Sequence, residues 1–549
     1  MTVAGAWPAG IEEPAARVAL DLLALPQPAL ADAVLLVECS ATDGVLVTTG
    51  GPLTAGILPA GILPGRVSGG DVRLDWSDVD WTSQPTDTRP NVHFEGRAGD
   101  ITLERSLPLD PAGERRIAAA LGEIPVDNTD GAYDGTAEGL AIDGRPLSVS
   151  LLGHRSAAYA DRRLVFAGIG SGWRADRRLL RITAASLAYV LDVPMLGLYG
   201  GTGGADGGDE LRGKPVPEAW GRLRNVPPLQ VDAGLLIYQL HARQIGEITG
   251  VYVRGAPIDA GAGYSSYSAL AAATVPGGTY SWAITPTGSY LRLGSSPDGT
   301  VTADLWGQPG GASIPRMMRL MLARGGVATN PAAFDSAEGY APGTAGLWLA
   351  EQVTFAEAIS RLAAGAGLWW GDDGGGSIVV GRVSAPGGPG GILLDQDSIL
   401  DDVEPLEPPA PAWRAGLGYR RNWSPLSGTD LVPEPTITAA RRQELAEASR
   451  RVSVEIAARR VRNAQARDVT LETLFDDEAD AMALGNNILS LLRPGLGLWR
   501  VPVGMMGWGM GLGQQARLTW PRYGLAAGRD VRVVGQSVRG NRVDLTVLG

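Results

Sequence analysis

Glycine and proline are scattered along this chain, and that scatter limits what it can fold into. The 549 residues include 77 Gly and 38 Pro, spread throughout rather than gathered in one tract. Glycine weakens the interior of helix and strand alike, and proline removes a backbone donor. Many short elements joined by turns are expected, as in β-rich folds. Hydrophobic residues make up 44% and the mean hydropathy is +0.02. That is enough to build cores and to exclude wholesale disorder. At about 150 residues per domain, the length gives three or four domains.

The net charge of −12 argues against a nucleic-acid-binding surface, though not against a local patch. Lys214 stands alone among 47 basic residues, the rest arginine; this is the codon choice of a GC-rich genome. Cys39 is also alone, so cysteines can build no intrachain disulfide, zinc cluster or iron–sulfur centre. The start, MTVAGAWPAGIEEPAARVAL, has no basic lead and carries early acids, unlike a secretory signal. No apolar run reaches the ~18 residues of a membrane span. A soluble protein that needs no oxidising compartment is expected.

Apolar bursts in 14–50, with an Asp43-Gly44 turn, read as strands. The stretch 71–105 continues in the same way, with Trp76 and Trp81 facing opposite sides. Consecutive strands are read over 147–191. Residues 193–228 shift to Gly, Pro and Asp and read as a connection. Strands resume at LLIYQLH and ITGVYVRG. Residues 279–306 carry two hairpin signals, Pro286-Thr287-Gly288 and Pro297-Asp298-Gly299. Helices are expected over 314–326, 349–367 and 476–493, and a hairpin turning on Gly374–Gly376. The Pro- and Glu-rich 401–435 reads as a boundary, and the terminus as strand and turn.

Several motifs imitate chemistry. Gly208 and Gly213-Lys214 stand in P-loop register, but Pro215 offers neither hydroxyl nor N–H, and Asp206, Asp209 and Glu210 would repel a triphosphate. GSGWRA (170–175), with Asp192 beyond it, imitates a dinucleotide fingerprint. Trp173 is bulky where pyrophosphate must approach, so a β-turn is expected. DNTDGAYDG (127–135) fails the calcium-loop frame and reads as turns. His93, His154 and His241 lie apart, without zinc or nucleophile-elbow motifs. The acid pairs Asp372-Asp373, Asp401-Asp402 and Asp476-Asp477 are adjacent in sequence, which lowers the odds of a glycosidase pair. The arginine pairs 441/442, 450/451 and 459/460 recur every nine residues, which forms no single basic stripe. Ion pairs with Glu444, Glu447 and Glu455 account for them better. No catalytic, cofactor-binding or metal residue is assigned, and no cofactor is expected.

Five strings carry a resemblance: SLPLDPAGERRIAAALGEIPVDNTDGAYDG (106–135), LRGKPVPEAWGRLRNVPPLQVDAGLLIYQLH (211–241), GSYLRLGSSPDGTVTADLWG (288–307), FAEAISRLAAGAGLWWGDDGGGSIVVGR (355–382) and the closing LTWPRYGLAAGRDVRVVGQSV…VDLTVLG. The chain resembles tail-tip, or baseplate hub, proteins of long-tailed phages, prophages and gene transfer agents, over roughly residues 75–549. The resemblance implies a mainly β fold with short helices (β-rich α+β), a multidomain hub with tail-tube-like β-barrels. Its domains are expected at 1–192 (tube-like, β-rich), 193–268 (connection with short strands), 269–400 (α+β hub) and 401–549 (β-rich with one helix).

The resemblance further implies a structural virion protein that continues the tail tube and links it to host-recognition and cell-penetration components. Its implied partners are copies of itself in a ring, expected as a trimer, together with a distal tail protein, tube or tape-measure protein and fibres. DNA is met only in transit, and no stable membrane insertion is implied. The location would be the virion tail tip, after assembly in the host cytoplasm. Some relatives bind an iron–sulfur cluster through cysteines, from which Cys39 alone departs. The alternative is a receptor- or carbohydrate-binding tail protein, with Trp369-Trp370 or Trp413 and Trp423 stacking on sugar rings.

Overall fold

The computed structural model describes residues 33–549 except 43–70, 122, 389, 390, 434 and 541. The turn read at Asp43-Gly44 and the apolar bursts before residue 33 lie outside the described residues. The rest is mainly β with short helices.

The first sheet has eight strands, in the order Trp81–Thr82, His93–Gly96, Asp71–Ser77, Val34–Thr42, Pro146–Leu152, Arg163–Ala175, Leu179–Ser186, Glu123–Asp127. Strand periodicity divides Val34–Thr42 between two cores. Val34 and Leu36 join Trp81, Phe94 and Tyr159, whereas Val37, Cys39 and Ala41 join Trp76. Trp76 and Trp81 thus serve opposite faces, as expected. Glu38 shares the face of Val34 and Leu36 and is buried with Arg73, Arg89 and the Tyr159 hydroxyl around it.

Two five-stranded sheets then face each other. One places Glu218–Val226 between Val301–Trp306 and Gly346–Leu349; the other centres on Gly288–Leu293. Leu223, Leu240, Val251, Leu291, Ala303 and Leu305 from the two sheets fill one core. The Pro286-Thr287-Gly288 hairpin joins paired strands as expected. Pro297-Asp298-Gly299 does not make a hairpin. The strands on either side of it lie in different sheets, so it turns the corner between them.

Helices Ile314–Arg324, Pro331–Tyr340 and Phe355–Gly365 pack with the hairpin Leu368–Asp372/Ile378–Arg382 in the largest core. The Thr354 hydroxyl accepts from the Glu357 N–H, and the Glu357 carboxylate accepts from the Thr354 N–H, closing a capping box at the third of these helices. The helix expected over 349–367 begins only at Phe355, because Gly346–Leu349 is a buried strand. Residues 401–435 are not simply a boundary either. Ala412–Tyr419 is the central strand of a three-stranded sheet backed by the helix Glu478–Leu491.

The last sheet draws on three distant parts of the chain. Its strands run Ile392–Leu394, Gln515–Leu518, Arg529–Arg539, Arg542–Leu548, Leu498–Val503, Glu404–Leu406. Arg529–Arg539 has a further partner in Thr102–Ser106, with Gly535 opposite Ser106 and Arg539 opposite Thr102. Strand pairing therefore crosses the expected boundaries at 192 and 400, and the boundary at 268 divides the paired five-stranded sheets. Composition marks loops, and it does not register pairing between residues hundreds of positions apart. Among the described residues the strand orders are open, so the expected barrels are not closed ones. The two-residue strand Trp81–Thr82 and Glu123–Asp127 remain the ends of the first sheet.

Candidate functional site

The near-miss P-loop is a pinned loop. The Gly213 N–H donates to the Tyr199 carbonyl (2.9 Å), and the Lys214 N–H to that of Leu211 (2.9 Å). The Tyr199 N–H donates back to the Lys214 carbonyl at 3.0 Å. The amides that a phosphate would need are spent inside the chain. Asp206 accepts from the Gly200 N–H (2.8 Å) and the Thr202 hydroxyl (2.7 Å), and these bonds hold its pKa below the ordinary value. Leu211 and Tyr199 are buried in one cluster. Beyond Pro217 the expected connection becomes the strand Glu218–Val226, buried over most of its length. Its apolar Ala219, Leu223 and Val226 claim places in a core, and the gain from that burial outweighs the turn-forming composition around them.

At the head of that strand sits a buried polar group. Glu218 is 1% exposed and accepts from Arg324 at 2.6 and 2.7 Å, while Arg324 also donates to the Met195 carbonyl. His241 is fully buried beside it. Its Nδ1 accepts from the Ala219 N–H (2.9 Å), which leaves Nε2–H to donate to Gln308 Oε1 (3.1 Å). Both nitrogens are thus satisfied in the neutral tautomer. Burial lowers the His241 pKa, with Glu218 pulling the other way. Near the surface, His93 pairs with Thr82 and lies 3.8 Å from Asp80, and His154 pairs with Ser156.

GSGWRA lies within the strand Arg163–Ala175, not in a β-turn; the pairing register with Leu179–Ser186 shifts at Thr183/Ala184, and Trp173 Nε1–H donates to the Leu140 carbonyl. In DNTDGAYDG, the buried Asn128 donates to Asp134 and accepts from the Tyr133 N–H. Arg97 holds Asp130 bidentately, and that hydrogen bond brings the exposed carboxyl down to about 2. Only part of the arginine pairs forms ion pairs: Arg441 and Arg450 both reach Glu444 and Arg451 meets Glu472, whereas Arg442 and Arg459 donate to backbone carbonyls, Arg460 lies over the Trp413 ring, and Glu455 meets Arg414. Glu447 instead accepts from Gln443.

The acid pairs separate in role. Asp401 lies 3.6 Å from Arg542. Asp476, 5% exposed, accepts from Arg224 Nε (2.7 Å) and Nη2 (2.9 Å), with Arg222 at 3.1 Å. Three guanidiniums, counting Arg420, thus converge on one carboxylate between the strand Glu218–Val226 and the helix that follows Asp477.

Asp372 and Asp373 line the most site-like cavity, of about 130 Å³, with Arg105, Trp369, Trp508 and Gln536 also in its wall. Asp372 accepts from the Ser186 hydroxyl and the Gly374 N–H. Burial raises the Asp373 pKa and lowers that of Arg105. The Trp369 and Trp508 ring N–H groups have no partner. No histidine or cysteine lines it, so the arrangement offers a carboxyl group whose pKa burial raises, beside a cation, but no activated nucleophile. Sequence reasoning missed Arg105, which arrives only because Thr102–Ser106 pairs with Arg529–Arg539. No group of three metal-ligating side chains occurs among the described residues, and no described helix is long and apolar enough to cross a membrane. Trp369 and Trp370 are 8% and 0% exposed, so neither is free to stack on a sugar.

No protein-family model matches the chain, and no curated protein matches it. Among solved structures it is similar to the 43 kDa tail protein of prophage MuSo2 from Shewanella oneidensis, with 10% identity over 83% of this chain and 93% of that one, at a TM-score of 0.38. A tail protein from Neisseria meningitidis MC58 gives 10% identity, the same coverages and a TM-score of 0.37. A chain in the virion of a native gene transfer agent particle gives 15% identity over 61% of this chain and 84% of that one, with a TM-score of 0.34. These three solved structures are thus a prophage tail protein, a further tail protein and a component of a gene transfer agent particle.

Proposed function

We propose that this chain is a structural, non-enzymatic component of a phage-type tail, placed at its tip as a baseplate hub. In this reading it continues the tail tube, assembles as a homo-oligomeric ring, and links the tube to components for host recognition and penetration. Its neighbours would be a distal tail protein, tube or tape-measure protein and fibres, with DNA met only in transit. Assembly in the host cytoplasm would end in the virion.

The observation that carries the reading is where the five resemblance strings fall. Four of them lie where one sheet meets another or takes in a distant strand. Residues 106–135 leave the last sheet for the first, and 211–241 supply the central strand Glu218–Val226. Residues 288–307 turn the corner between the facing sheets, 355–382 form the helix and hairpin of the main core, and 518–549 hold the strand that captures Thr102–Ser106. Distinctive sequence spent on joints suits a structural protein better than a cleft enzyme. The carbohydrate alternative loses one of its two pairs, since Trp369 and Trp370 are buried, while Trp413 and Trp423 are half-buried.

A lumen that passes DNA avoids phosphate grip by carrying more acid than arginine. The candidate segments are 71–80, with Asp78 and Asp80 exposed and Asp75 paired with Arg89, and 127–135, with Asp127, Asp130 and Asp134 exposed and Asp130 paired with Arg97. The test is electron microscopy of particles carrying a gold-labelled tag on this chain. Label at the end of the tail far from the capsid is expected; label on the capsid, or none on intact particles, would reject the reading.

A further inference from the structure

An open groove of about 700 Å³ lies between the loop 106–117 and the start of the helix Phe355–Gly365. Its floor is apolar, with Leu107, Leu109 and Ile117 against the main core. Its rim is acidic: Asp110, which pairs with Arg467 at 3.1 Å, Glu114, Asp192 and Glu357 line it against the guanidinium of Arg116. That guanidinium is already committed, at 2.9 Å from Asp192 and over the Trp370 ring. Glu357 is held in the capping box, which also offsets the positive end of its helix. The Glu114 carboxylate accepts from the N–H groups of Arg115 and Arg116.

The groove is built rather than incidental. Its outer wall is anchored at both ends, by the Leu107 N–H to the Val534 carbonyl and the Ile117 N–H to that of Trp370, both 2.7 Å. Pro108 and Pro111 fix φ within the wall, and the buried Arg115 braces it from inside by donating to the Asp110 carbonyl (3.1 Å). A rigid wall costs a ligand little ordering entropy. We propose that this groove docks an extended segment of another polypeptide, one that carries apolar side chains flanked by Arg or Lys. The apolar side chains cover the floor, and the flanking cations meet the acidic rim. The inference goes beyond the tail reading and does not rest on it.

The test is fluorescence anisotropy on the full chain with three labelled synthetic peptides: Gly-Arg-Leu-Val-Arg-Gly, its Glu counterpart Gly-Glu-Leu-Val-Glu-Gly, and Gly-Arg-Ser-Ser-Arg-Gly. The first is expected to bind about tenfold or more tighter than either other peptide, and to weaken at high salt. Glu114→Lys, on an exposed loop, and Leu109→Ser should each weaken it severalfold, and an unchanged melting temperature shows that the wall is intact. Equal binding of the acidic peptide, no binding at all, or indifference to both substitutions overturns the proposal. Self-association of the chain that is lost in Glu114→Lys, without peptide binding, would make a second copy the occupant and equally overturn it.

Discussion

Asp476 shows how much one carboxylate can hold. Burial alone would raise its pKa, but the hydrogen bonds and charge of Arg224, with Arg222 and Arg420, outweigh that and keep it below 3.8. A depressed folded pKa means stability that is present at neutral pH and lost as pH falls through the folded value. Acid should therefore loosen this joint below about pH 4. Asp476→Ala is expected to cost about 2–3 kcal/mol in denaturant melts, less than the roughly 3–5 kcal/mol of a fully buried pair, because the guanidiniums keep some water. His241 gives a second acid-side loss at higher pH. Its lowered pKa makes the unfolded chain the better proton binder, so stability should fall as pH drops below about 6.5. Melting temperature measured against pH should decline less steeply for His241→Gln. At residues 208–214, calorimetric titration with ATP and Mg²⁺ should give no heat, and Lys214→Ala should change nothing.

At the scale of elements, Gly221 and Gly346 face each other where Glu218–Val226 meets Gly346–Leu349. A Cβ on Gly221, at φ +66°, would sit 2.0 Å from the Ala345 carbonyl oxygen; one on Gly346 would sit 1.9 Å from that of Arg222. Gly221→Ala is expected to cost about 2–4 kcal/mol by calorimetry, through clash and left-handed strain together. The sequence made the turn at Gly374–Gly376 and the helices at 314–324 and 478–491 legible, because turn chemistry and apolar spacing are local. It hid Glu218–Val226 and Ala412–Tyr419 inside Pro-rich surroundings, and it gave no warning of the helix Pro331–Tyr340. Of the chemically suggestive motifs, the P-loop and calcium-loop imitations could be dismissed from residue types alone. The cavity with Arg105 could not be foreseen, since its members come from strands that only the fold brings together.

The whole molecule is tied by Thr102–Ser106, which pairs with Arg529–Arg539 across most of the chain. An isolated fragment 1–192 lacks that partner and leaves Leu103, buried in the last sheet's core, exposed with an open strand edge. It is expected to aggregate or to exchange the amides of 102–106 rapidly, while co-expression with 193–549 should restore their protection. Hydrogen-exchange mass spectrometry reads both outcomes directly.

The same pairing sets a timetable for synthesis. A ribosome adds about 5–20 residues per second, so roughly 20–90 s separate the emergence of Thr102–Ser106 from that of its partner strand. Through that interval the last sheet cannot close, however well the earlier sheets have formed. A nascent chain therefore closes this sheet only once Arg529–Arg539 is free of the ribosome, and a copy terminated before that strand leaves Thr102–Ser106 without it.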